Sequence, residues 1–111
     1  MSGPASQVLP FARLPLTYAE CRTRFRRAAT EAGVSVTAHA LDAIGPDGEE
    51  LTVDVAEVGP PDAEGLLVVL SGVHGVEGFV GSALQCDLLD RLATSPLPPG
   101  VGLLLVHAVN P

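Results

Sequence analysis

Two uninterrupted apolar runs constrain this chain more than anything else in it. LLVVL (66–70) and VGLLLVHA (101–108) contain no acidic or basic residue except His107. Short runs of this kind, bounded by Gly and Pro, predict strands, and continuous rather than alternating hydrophobicity predicts strands covered on both faces. Between them Val80, Leu84, Leu88 and Leu92 recur every fourth residue, which predicts a helix over about 80–93, stopped by SPLPPG at 95–100. Strand, helix and strand in that order form a βαβ unit, whose right-handed crossover makes the two strands parallel. Ligands of such sheets bind beyond the carboxyl ends of the strands. His74 follows the first strand and His107 ends the second, so both fall on that edge.

Upstream, TYAE (17–20) has the form of a capping box, with Thr17 capping a helix and Glu20 reaching back. That helix is expected to run to about Ala32 and to stop at Gly33. VSVTAHAL (34–41) and LTVDVAEV (51–58) flank the turn-forming GPDGEE (45–50) and predict an antiparallel hairpin. In the second strand Leu51, Val53 and Val55 alternate with Thr52 and Asp54, the pattern of a strand with one face in water. The expected class is α/β: an N-terminal helix, an antiparallel hairpin, then a βαβ unit. Residues 1–16 are expected to be an irregular arm and 17–111 a single domain. Two strands needing cover on both faces meet only two helices, so the chain is expected to be the front portion of a larger domain. An open sheet edge would then pair with a partner or with a second copy.

Composition closes several routes. The net charge is −7 and all six basic residues are arginine, which argues against nucleic acid or an anionic membrane as the main partner. Arg22, Arg24, Arg26 and Arg27 are expected to form a solvated helix face. The start, MSGPASQVLPFARLPL, is broken by Pro10, Arg13 and Pro15 and does not have the form of a signal peptide. No apolar run approaches the ~20 residues that a membrane helix needs. Cys21 and Cys86 are far apart and form no CxxC pair, so free thiols in a reducing, cytoplasmic setting are expected.

The chemistry concentrates in SGVHGVEGFVGS (71–82). His74-x-x-Glu77 leads out of a strand into a helix start, where a tight turn can aim an imidazole and a carboxylate at one point, and both are ordinary zinc ligands. The competing account is a glycine turn in which Glu77 favours the positive end of the helix. His39-x-x-Asp42 has a similar form, but it lies in a predicted strand, where residues three apart point to opposite faces. Gly72, Gly75 and Gly78 give G-x-x-G-x-x-G, which departs from the dinucleotide fingerprint, and neither a phosphate-loop lysine nor a G-x-S-x-G elbow is present. A small nucleotide-binding domain therefore stands behind the metal reading. His107 is open to three roles: a third ligand, a group supporting the ligands, or a polar end to a buried strand.

SGVHGVEGFVGS, a helix, a Pro-rich loop and VGLLLVHAVNP in this order resemble the start of a zinc-carboxypeptidase-like domain, in a bacterial branch carried as a domain of unknown function. The "HG-x-EG … HA-x-NP" pair is the specific part, and the resemblance runs from about Tyr18 to Pro111. It implies a three-layer α/β/α fold, of which this chain holds the N-terminal part. It implies that His74 and Glu77 are the first two zinc ligands and that His107 and Asn110 belong to a framework or second-shell segment, without a catalytic role. In such enzymes a third histidine ligand, substrate-holding arginines and a general-base glutamate lie further downstream. The implied activity is metal-assisted hydrolysis of an amide or peptide bond, with this chain inactive alone. The alternative is a non-enzymatic module that covers its open sheet edge with a partner chain, such as a separately encoded C-terminal half.

Overall fold

The computed structural model describes residues 14–111. Most of the expected arm, residues 1–13, lies outside them. Helix α1 spans Tyr18–Glu31. Thr17 Oγ1 accepts the Glu20 amide at 3.1 Å, and Glu20 reaches back to the Leu16 amide at 3.0 Å, so the capping chemistry is present, set one residue further out on the return side. The helix ends at Ala32, and Gly33 follows in the left-handed region at φ 71°.

Strands β1 (Ser35–Ile44) and β2 (Glu50–Val58) form the antiparallel hairpin, in register from Ser35 opposite Glu57, with an irregularity between Ala40 and Ile44. Strand β3 (Gly65–Leu70), helix α2 (Gly78–Arg91) and strand β4 (Val101–His107) complete the chain, and β3 and β4 run parallel from Gly65 opposite Val101 to Leu70 opposite Val106. The sheet order is β1-β2-β4-β3. Strand β4 also pairs antiparallel with β2, which sets Asp54 directly opposite His107.

Both helices pack on one face of this sheet. Phe25, Ala28 and Ala29 of α1 and Leu89 of α2 close over Ala56, Leu103 and Leu105. The predicted stripe of α2 holds in part: Leu88 and Leu92 pack against the core, but the fully buried residues are Ser82, Ala83, Gln85 and Leu89, and Leu84 is exposed. The other face of the sheet has no helix over it among the described residues. Leu66, Val68 and Leu70 of β3, aligned with Gly102, Leu104 and Val106, are 62%, 47% and 54% exposed. The double cover expected for LLVVL is thus not found here.

The alternation of β2 is real, but its faces are reversed. Thr52 and Asp54 are buried beneath the helices, and Leu51, Val53 and Val55 look out on the uncovered side. The reason is α1. Arg26 grips the Asp54 carboxylate through Nε at 2.6 Å and Nη2 at 3.0 Å, Thr52 Oγ1 donates to Asp54 at 2.9 Å, and the Tyr18 hydroxyl accepts the Thr52 amide at 2.7 Å. A buried charge needs such partners. Arg26 is therefore not part of a merely solvated face. Arg22 likewise donates to the Glu50 carbonyl at 2.7 Å.

Candidate metal-binding loop

The residues after β3 are bound to the residues after β4. Ser71 N–H donates to the Val106 carbonyl at 3.0 Å, Val109 N–H to the Ser71 carbonyl at 2.9 Å, and Asn110 N–H to the Gly72 carbonyl at 2.9 Å. The parallel ladder thus continues past both strands, which is why SG and HAVNP belong together. Ala108 takes a left-handed φ of 59°, a conformation that side chains disfavour. Two of the three glycines are required by contact. Gly72 has φ 70°, and a Cβ on it would lie 2.8 Å from the Ala108 Cα; a Cβ on Gly78 would lie 2.9 Å from the Gly72 Cα. Gly75 faces open space.

His74 and Glu77 stand on the exposed turn between this fixed point and α2. Gly78 N–H donates to the Gly75 carbonyl and Phe79 N–H to that of Val76, both at 3.1 Å, so the helix starts tightly. Glu77 is the N-cap, yet its side chain makes no capping hydrogen bond. Neither a His-Glu-centred cluster nor any other group of three His, Cys, Asp or Glu is assembled among the described residues. His39 and Asp42 lie exposed on β1, two strands from β4 in the sheet order.

His107 occupies a different environment. It is 1% exposed, stacks on Phe25 with ring centroids 4.5 Å apart, and bonds Ser82 Oγ through Nε2 at 2.8 Å. Burial pushes its pKa down to about 4, against the pull of Asp54, so the ring is neutral at physiological pH. Its Nδ1 is buried without a partner. We assign the proton to Nε2, because a buried bare nitrogen costs less than a buried unpaired N–H. Burial also acts on Asp54, but the hydrogen bonds from Arg26 and Thr52 and the Arg26 charge outweigh it and hold the carboxyl below its ordinary value. Asn110 is exposed and enters the frame through its backbone. Beside the loop lies a crevice of about 600 Å³, lined among others by Cys21, Phe79, Ser82, His107 and Asn110.

The polar residues that organise this edge were not singled out by spacing. Gln85 Nε2 donates to the carbonyls of Val69 at 3.0 Å and Val106 at 3.2 Å, and its Oε1 accepts Ser71 Oγ at 2.9 Å. Ser71 Oγ in turn accepts the Ala108 amide at 3.1 Å. The available signal was a glutamine set between Leu84 and Cys86, one turn before Leu88 and Leu89. Both cysteines are free thiols. Among the described residues no helix is long and apolar enough to cross a membrane.

A family described as a protein of unknown function (DUF2817) matches residues 15–111. No curated protein matches the sequence. Among solved structures, a putative zinc-dependent exopeptidase from Bacteroides vulgatus is similar with TM-score 0.59 at 18% identity, over 86% of this chain and 39% of its own. The glutaminyl cyclase of Fimbriiglobus ruber gives TM-score 0.57 at 16% identity, over 80% of this chain and 36% of its own. That of Tannerella forsythia gives 0.56 at 16%, over 86% and 40%. The chain thus spans well under half the length of these structures, and at such identities the likeness establishes a shared α/β fold.

Proposed function

The chain belongs to the DUF2817 family, and on that footing we propose that His74 and Glu77 are two ligands of a zinc site serving hydrolysis of an amide or peptide bond. The observation that carries this is the state of Glu77. It stands at the start of α2 without capping it, on an exposed turn shared with His74, at the carboxyl edge of β3 and β4. Glu77 thus makes no capping bond, and the competing account keeps only the attraction between its charge and the positive end of the helix. The zinc-dependent exopeptidase among the similar folds points the same way.

The donor set fits one side of such a site. An imidazole and a carboxylate suit zinc, and a catalytic zinc takes three protein ligands. When bound, zinc lowers the pKa of its water and polarises the scissile carbonyl. This chain's contribution is to hold His74 and Glu77 on a turn fixed by the Gly72–Ala108 contact and to keep His107 neutral and packed behind it. The third ligand and the proton-transferring base are to come from polypeptide that continues or complements the described unit. His107 and Asn110 serve as framework. Free Cys21 and Cys86 support a reducing, cytoplasmic setting.

One observation favours a second, non-enzymatic reading. The uncovered face of Leu66, Val68 and Leu70 and the free edge of β3 suit a partner that adds a strand and an apolar layer. The experiment that separates the two is an amide-hydrolysis assay with zinc, run on the chain alone and on the chain joined to a C-terminal portion that supplies a third ligand and a base. The chain alone is expected to be inactive, and the joined form active and dependent on His74 and Glu77. Zinc-dependent, His74-dependent turnover by the chain alone would refute the partial-site account.

A further inference from the structure

We propose that Gln85 is a positioning residue for the His74–Glu77 turn, an inference that rests on the metal reading above. Gln85 is 1% exposed, and its carboxamide makes three hydrogen bonds: both N–H groups donate, to the carbonyls of Val69 and Val106, next to last in β3 and β4, and Oε1 accepts from Ser71. Ser71 is the last residue before Gly72, and its hydroxyl also holds the Ala108 amide. One side chain of α2 therefore ties together both strand ends and the first residue of the loop.

The helix needs such a pin. Leu89 is buried in the core with Cys86, Leu88 and Leu92 packed beside it. The half of the buried face nearer the loop, however, offers only Ser82, Ala83 and Gln85, whose small neighbours fix the first turns less firmly. Hydrogen bonds are directional where small apolar contacts are not. Gln85 lies eight residues beyond Glu77, about 12 Å along the axis. A rotation or slide of α2 at Gln85 moves its first turn, and so moves Glu77 relative to His74. Ligand orientation of this kind, set by groups that never touch the metal, controls affinity.

The test compares Gln85→Leu with Leu89→Ala, a control that weakens the same helix while leaving the carboxamide in place. Zinc chloride is titrated into each chain and followed through the ring resonances of His74. Gln85→Leu is expected to weaken zinc binding about 10- to 100-fold, and Leu89→Ala to leave the affinity of the folded fraction unchanged. Without metal, amide exchange at Val109 and Asn110 should quicken in Gln85→Leu beyond the rise in Leu89→Ala. If Gln85→Leu does not fold, Ser71→Ala removes one atom from the same node and should show the same pattern at smaller size. Equal effects from Gln85→Leu and Leu89→Ala would overturn the proposal. If zinc fails to perturb His74 in the unaltered chain, the metal reading falls, and the exchange comparison still decides whether Gln85 holds the turn.

Discussion

Gly72 and Ala108 touch backbone to backbone: a Cβ on Gly72 would fall 2.8 Å from the Ala108 Cα, and both residues hold left-handed φ angles. This contact joins the turn carrying His74 and Glu77 to the HAVNP segment. Gly72→Ala should therefore destabilise the chain by about 2–4 kcal/mol, combining the left-handed penalty with overpacking. Gly75→Ala, in open space, should cost under about 1 kcal/mol. Urea unfolding of the two variants checks the contrast, and equal losses would show that the contact does not matter.

The Arg26–Asp54 pair makes a second prediction. Asp54 is fully buried, whereas the Arg26 side chain is 41% exposed, so the loss is smaller than for a wholly buried pair. Arg26→Met should cost about 2 kcal/mol by leaving a buried carboxylate with only Thr52. Asp54→Asn combined with Arg26→Met should recover part of that loss, since no buried charge remains. A double-mutant cycle by chemical denaturation measures it, and strict additivity would count against the pair.

Stability should fall on acidification before ordinary carboxylates titrate. The fold holds His107 neutral, with its pKa down at about 4 from an unfolded value near 6.5. A depressed histidine contributes its full stability above about pH 6.5 and loses it as pH falls towards 4, a change of about 3 kcal/mol. Asp54, with its carboxyl held low, adds a further loss below the usual carboxylate range. His107→Gln should flatten the profile between about pH 6.5 and 4. An unchanged slope in that variant would assign the acid sensitivity elsewhere.

The uncovered sheet face should make the chain associate. Leu66→Lys with Leu70→Lys should shift sedimentation towards the monomer while changing the unfolding free energy by less than about 1 kcal/mol. A wild-type chain that is already monomeric at high concentration would contradict this.

The order of elements was legible because each carries a local signature. Thr17 and Gly33 mark α1, the Gly/Pro/Asp turn marks the hairpin, and the two apolar runs with a helix between them mark the βαβ unit. The facing of those elements was not legible. Alternation in β2 says that Thr52 and Asp54 share a face, but only Tyr18 and Arg26, more than 25 residues away, make that face the buried one. LLVVL reads as doubly covered, yet the covering layer for its outer side is not among the described residues. At the site, His74 and Glu77 stood out by residue type and position. Gln85 and Ser71 did not, because their role depends on where two strand carbonyls end.

The most direct measurement is a zinc titration of the chain followed through all three histidines by NMR. Zinc should perturb His74 saturably and weakly, as two ligands allow, leave His39 and His107 unmoved, and lose its effect at His74 in Glu77→Gln. A His74 response that survives Glu77→Gln unchanged, or a zinc response centred on His107, would contradict the account.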